Sequence, residues 1–251
     1  LTNVPMNLIP GDGEVLVVAF AAHGALLVFI KGTDREYAIA RIANFGRATQ
    51  FRQVDDRCRL DDLAAAGFPP DSIDTVLCTH LHVDHVGWNT KLENGRWVPT
   101  FRNAEYVMGR AEYEHWSTAT TREDMRHVMA DSVTPIKEAG KARLVETDAA
   151  ICEEIALIPT VGHTPGHVSV MISSRGEQAM ITGDFMHHPC QIAHPEWITP
   201  FDNDSPAAVA TRKAFLERYA DKPVMVLGTH FAPPTAGFVR LDADGVRFDG
   251  V

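Results

Sequence analysis

An α/β fold class is what this sequence predicts, and three observations predict it. Short apolar runs of strand length recur along the chain, and helix signals fall between them. Residues of metal-ligand type follow several of the expected strand ends, where a rigid scaffold holds loop side chains open to a ligand. Those residues run from His80 to His230 and have to converge, so 1–251 reads as a single domain.

In chain order, Val15–Ala22 and Ala25–Ile30 are β-prone runs around His23-Gly24 and predict a first hairpin. Leu60–Ala66 reads as a short helix closed by Gly67 and stopped by Pro69-Pro70. Ile73–Cys78 is a buried strand, Trp88–Thr100 a loop or hairpin containing Asn94-Gly95, and Ala104–Met108 a strand. Ala111–Trp116 and Arg122–Ala130 read as helices, which makes 88–130 a candidate cap segment. Ala142–Val145 and Ile155–Pro159 are short strands, and Val168–Ser173 pairs with Gln178–Thr182 around Arg175-Gly176. Ser205 is the expected cap of a helix with Pro206 at its first position, running to about Tyr219. Val224–Leu227 is a strand, and Phe238–Leu241 with Val246–Phe248 forms a last hairpin around Asp244-Gly245.

Composition narrows the partners. The 23 Lys and Arg against 33 Asp and Glu give a net charge of −10, which argues against a nucleic-acid backbone and for a small-molecule substrate. Cys58, Cys78, Cys152 and Cys190 are far apart with no Cys-x-x-Cys, the pattern of reduced thiols. The longest apolar stretch, Val15–Ile30, is split by His23-Gly24, is too short to cross a bilayer and has no basic residue before it. The expectation is a cytoplasmic protein with no membrane partner.

The chemistry lies in five histidines and two aspartates. His80, His82, Asp84 and His85 fall in Thr79-His80-Leu81-His82-Val83-Asp84-His85; His163 is in Gly-His-Thr-Pro-Gly-His, Asp184 in Thr-Gly-Asp and His230 in Gly-Thr-His. Imidazole and carboxylate suit borderline divalent metals, zinc first, with manganese, cobalt or iron as alternatives. Seven such groups suffice for two ions, which together generate a hydroxide and polarise the bond it attacks. His167 reads as a supporting residue, His187 as a group polarising substrate, and Trp88, Phe185 and Phe231 as pocket walls beside the ligands.

This ordered set resembles the metallo-β-lactamase-fold superfamily over roughly Asp71 to Phe248. The resemblance implies an αββα sandwich of two mixed β-sheets flanked by helices, with the metals at one edge. It gives His80, His82 and His163 to one metal, Asp84, His85 and His230 to the other, and Asp184 to both. Asp84-His85-Val86-Gly87-Trp88 and Gly183-Asp184-Phe185-Met186-His187 are similar to the acyl-homoserine-lactone lactonase and methyl-parathion-hydrolase group. That group implies a quorum-quenching lactonase or an arylesterase acting through a metal-bridging hydroxide, with Asp84 and His187 as catalytic residues. Phosphotriester (organophosphate) hydrolysis is the second reading, and an iron-dependent redox member or an inactive metal-binding member is a third. A homodimer is implied by the same likeness. Two departures stand out: His187 replaces the tyrosine that many of these lactonases place three residues after the bridging aspartate, and Lys31–Ala38 replaces an expected Val-Asp-x-Gly turn. The second departure sets 31–60 apart as atypical, either an insertion or a sequence artefact.

Overall fold

A computed structural model describes residues 69–118, 123–232, 234–243 and 245–251, the single residues Leu60 and Ala64, and the backbone of strands at 25–30 and 37–42. These fall into two compact units: the described residues up to Met108 with 116–144, and 109–115 with 145–251.

In the first unit β1 (Ala25–Ile30) pairs antiparallel with β2 (Tyr37–Ile42), Ile30 facing Tyr37. Ala25–Ile30, the second of the two runs expected to form the first hairpin, is thus a strand, and β2 lies inside the stretch set apart as atypical. Val15–Ala22 is outside the described residues. Of the helix expected at Leu60–Ala66, only Leu60 and Ala64 are described, and both have helical backbone.

A three-stranded sheet follows, in the order β3 (Thr75–Leu77), β6 (Glu105–Gly109), β7 (Ala142–Val145), with β3 and β6 parallel. The middle strand buries four of its five residues, as a strand covered on both faces must. Between β3 and β6 come a short helix, α1 (Val83–Val86), and the hairpin β4 (Thr90–Glu93) with β5 (Arg96–Pro99). Asn94 (φ 52°) and Gly95 (φ 78°) make its two-residue turn, as the Asn-Gly pair predicts.

Helix α2 (Arg110–Thr118) starts in the second unit and ends in the first. Helix α3 (Glu123–Val128) does not stop near Ala130 as predicted. It runs through a π-helical turn, Met129–Val133, into α4 (Thr134–Glu138). Pro135, at the start of α4, has no N–H for the Asp131 carbonyl four residues back, which accepts from Thr90 Oγ1 at 2.7 Å instead.

The second unit is built on a six-stranded sheet in the order β13-β12-β11-β10-β9-β8. Its strands are β8 (Ile155–Pro159), β9 (Val168–Ser174), β10 (Glu177–Ile181), β11 (Val224–Leu227), β12 (Ala236–Asp242) and β13 (Gly245–Gly250). All neighbours are antiparallel except β10 and β11. After a short α5 (Cys190–Ala193), α6 (Ser205–Tyr219) buries Ala208, Arg212, Phe215, Leu216 and Tyr219, a stripe at helical spacing. Phe215, Leu216 and Tyr219 join a core with Met171, Met180, Phe185 and Val226. The cap of α6 is Asp204, whose carboxylate accepts the Ala207 N–H at 2.9 Å, so the helix begins with the residue predicted to cap it. Among the described residues no helix is long and apolar enough to cross a membrane.

Candidate metal centre

The first unit carries four of the expected ligands in six residues. The Cys78 N–H still bonds the Val107 carbonyl at 3.0 Å, so the sheet continues to the edge of the cluster. The chain then turns, with His82 in extended backbone (φ −68°, ψ 157°) at the start of α1. Asp84 and His85 lie in that helix. The His80 ring centre is 4.0 Å from that of His85 and 4.8 Å from that of His82. His80 and His85 are buried, while the Asp84 side chain keeps 22% of its surface and lies 3.4 Å from His85 Nε2. Beneath them Cys78 is a buried thiol, as expected, and burial pushes it up to about 12 against the opposing effect of its Asn89 hydrogen bond.

The second unit gathers its ligands by sheet topology. β8 runs antiparallel to β9 and β9 antiparallel to β10, while β11 is parallel to β10. β8, β10 and β11 therefore point the same way, and His163, Asp184 and His230 follow their ends. Asp184 sits in a 3-10 turn, Gly183–Phe185, entered through Gly183 at φ 60°. Its Oδ2 is ringed by imidazoles: His230 Nε2 at 2.9 Å, His187 Nε2 at 3.3 Å and His163 Nε2 at 3.6 Å. His187 also stacks on His230, the ring centres 5.1 Å apart. His163, Asp184 and His187 each present a donor atom within 4.8 Å of the others, which suits one divalent cation's coordination sphere. A donor set of buried imidazole nitrogen and carboxylate oxygen fits zinc and its neighbours.

Buried hydrogen bonds hold this half. His167 Nε2 accepts the Asp184 backbone N–H at 2.8 Å. Its other nitrogen must then carry the proton, and it meets Thr160 Oγ1 at 2.8 Å. Thr160 contacts Ser169 Oγ at 3.0 Å, and Ser169 donates to the Thr182 carbonyl at 2.7 Å. His167 is thus a strut under Asp184. Glu112 accepts the Gly166 N–H at 2.9 Å and fastens the same loop.

Asp202, which sequence reasoning missed, lies 3.3 Å from His163 Nδ1. Burial would raise its carboxyl, but hydrogen bonds from His163 and the Thr199 N–H and the charge of Arg212 outweigh that and hold it below the usual carboxylate range. The missed signal was Arg212, an arginine in the middle of a buried helical stripe, which needs an anionic or carbonyl partner.

The pocket residues fare differently. Phe185 and Phe231 are core residues, packed against Phe215 (ring centres 5.0 Å apart) and Phe248 (5.2 Å). Both face inward, where apolar burial is worth more than a place on a pocket wall. Trp88, in the first unit, is 9% exposed and borders a small depression with Thr90, Lys91 and Thr100.

Residues 32–230 match the family described as Metallo-beta-lactamase superfamily, and the match runs through the stretch the sequence set apart. The N-acyl homoserine lactonase AiiA of Bacillus thuringiensis subsp. kurstaki is 30% identical over 112 residues, 45% of this chain and 38% of that protein's length. Among solved structures, the hydrolase AbOPH in the beta lactamase superfamily superposes with a TM-score of 0.67 at 26% identity, over 76% of this chain and 69% of its own. AidC, a dizinc quorum-quenching lactonase solved with a product, superposes with a TM-score of 0.72 at 23% identity, over 91% of this chain and 80% of its own.

Proposed function

This chain belongs to the metallo-beta-lactamase superfamily and has its fold, and from that premise we propose that its two units work as one domain, a binuclear metal-dependent hydrolase of lactones or esters. The observation that carries the reading is the ring of three imidazole Nε2 atoms within 3.6 Å of Asp184 Oδ2. His80, His82 and His163 would hold one ion, Asp84, His85 and His230 the other, and Asp184 both. Two bound divalent ions, zinc in the first instance, supply a nucleophile at neutral pH and an electrophile for the scissile bond.

The chain's own residues do the rest. Asp84, the more exposed carboxylate, orients the nucleophile. The His187 side chain keeps 20% of its surface and meets the carbonyl oxygen of the substrate. Its backbone is fixed by the N–H bond to Gln191 Oε1 at 2.7 Å. The lactone of an N-acyl homoserine is the substrate class favoured, in line with the likeness to AiiA over 112 residues. A second reading, aryl esters or phosphotriesters, is favoured by His187 itself, an imidazole where related lactonases use a phenol. A small-molecule substrate and a homodimer complete the proposal.

The test is proton release in weak buffer when zinc-loaded protein meets a long-chain N-acyl homoserine lactone. Rapid, chelator-sensitive acid production is the expected result. No release from protein holding two metals overturns the lactonase reading in favour of the second. Asp184→Asn should lower metal content and turnover together; full turnover with two metals retained would remove Asp184 from the centre.

A further inference from the structure

We propose that Asp202 and Arg212 are positioning residues that fix the ring of His163 and tie it to the backbone beside Asp184. The inference rests on the reading of His163 as a metal ligand. Asp202 Oδ1 lies 3.3 Å from His163 Nδ1, while His163 Nε2 faces Asp184. A carboxylate can only accept, so Nδ1 carries a proton, and Nε2, which faces the ligand cluster, is the nitrogen left to bind a metal. A partner on the far nitrogen of a ligand histidine sets its tautomer, its orientation and its basicity.

Arg212 makes that carboxylate a fixed point. Its side chain is fully buried in α6 and donates three ways: Nη2 to Asp202 Oδ2 at 3.3 Å, Nη1 to the Phe185 carbonyl at 3.0 Å and Nε to the Pro195 carbonyl at 2.9 Å. Phe185 directly follows Asp184. One guanidinium fork therefore spans the carboxylate that orients His163 and the turn that carries Asp184, and its planar geometry fixes their separation. The loop between is pinned as well: the Asn203 N–H bonds the His163 carbonyl at 3.0 Å and the Asp204 N–H bonds the Gly162 carbonyl at 2.9 Å. Asp202 cannot swing away from His163 without breaking these bonds.

Two measurements test this. The first is zinc affinity, read by competition with a chromophoric chelator, for the parent, Asp202→Ala and Asp202→Asn. Asp202→Ala should bind zinc about 10- to 100-fold more weakly. Asp202→Asn can still accept at Oδ1, so it should lose less than about tenfold. Unchanged affinity in folded Asp202→Ala overturns the proposal. The second is the His163 tautomer in metal-free parent protein, by long-range 15N–1H NMR with His163→Gln for assignment. A proton on Nδ1 is expected, and a ring protonated on Nε2 alone overturns the proposal even if alanine at 202 prevents folding. A parent that binds no zinc defeats the metal reading instead, and the tautomer still decides whether Asp202 orients the ring.

Discussion

The two units present ligand-type residues by different means. In the first, four of them fit within one turn and one short helix, Asp84 and His85 being neighbours in the chain. In the second, His163, Asp184 and His230 come from three strand ends spread over 68 positions, and buried struts bring them to one carboxylate oxygen. A local motif carries its geometry in its own backbone. A dispersed one depends on sheet register and on long-range contacts, so remote packing errors should damage the second set far more than the first.

Glycines give the sharpest break between the two. At Gly162 (φ 127°) an added Cβ would lie 2.2 Å from the Ala208 nitrogen, and at Gly166 it would lie 2.3 Å from the Glu112 nitrogen. Backbone blocks both sites, so neither neighbour can give way cheaply. Gly162→Ala should cost about 3–5 kcal/mol, combining overpacking with a strained φ. In the first unit Gly95 (φ 78°) has nothing within 4 Å of an added Cβ. Gly95→Ala should cost only the left-handed penalty, about 1–2 kcal/mol. Urea midpoints at constant slope measure both, and equal losses at Gly95 and Gly162 would end the distinction.

The struts come next. His167→Ala leaves the Asp184 N–H and the Thr160 hydroxyl without their imidazole partner. The Thr160 hydroxyl keeps Ser169, so the Asp184 N–H carries the main cost and a loss of about 1–3 kcal/mol is expected, with zinc content falling too. The matching change in the first unit is Thr79→Val, which removes a 3.1 Å contact with His80 Nδ1 between adjacent residues. It should cost under about 1 kcal/mol and lower zinc content less than His167→Ala does, because His80 and its neighbours in the cluster are adjacent in the chain. Metal analysis by mass spectrometry with thermal melting separates the cases, and a comparable zinc loss in Thr79→Val would count against the contrast.

The same division explains what could be read from the chain. Strands whose ends are marked by turn residues were legible almost to the residue, such as Ala142–Val145, Ile155–Pro159 and Val224–Leu227. The candidate ligands were legible because few residue types bind zinc and their glycine-flanked settings are distinctive. Pairing partners were less so: β1 pairs with Tyr37–Ile42, a strand that local propensity did not single out. The cap of α6 slipped one residue because Asp204 and Ser205 are both good caps, and only the Ala207 N–H contact distinguishes them. Asp202 was hidden for the deeper reason that its partners are 39 and 10 positions away. Phe185 and Phe231 adjoin ligands in sequence yet face the core, because a residue beside a ligand in a tight turn points away from it.

A pH-dependent effect is expected at Tyr106, the buried hub of the first unit. Its hydroxyl accepts the Phe101 N–H and donates to the Asn89 carbonyl, both at 3.0 Å. Tyr106→Phe keeps the ring and takes the phenol from the Phe101 N–H, while the Asn89 carbonyl keeps the Thr100 N–H at 3.0 Å, so a loss of about 1–2 kcal/mol at neutral pH is expected. Burial pushes the phenol well above the usual tyrosine range, against the backbone hydrogen bonds that oppose it. Above the ordinary value of about 10 the unfolded phenol ionises while the folded one keeps its proton. The folded state then binds more protons, so stability falls as pH rises, by up to about 1.4 kcal/mol per unit from this one group. Phenylalanine cannot ionise, so the deficit of Tyr106→Phe should shrink between pH 10 and 11. Zinc content should not change, because Tyr106 braces the hairpin rather than a ligand. A deficit that stays constant with pH would mean that the phenol is not shielded as the packing implies, and a fall in zinc content would make the first cluster as dependent on remote packing as the second.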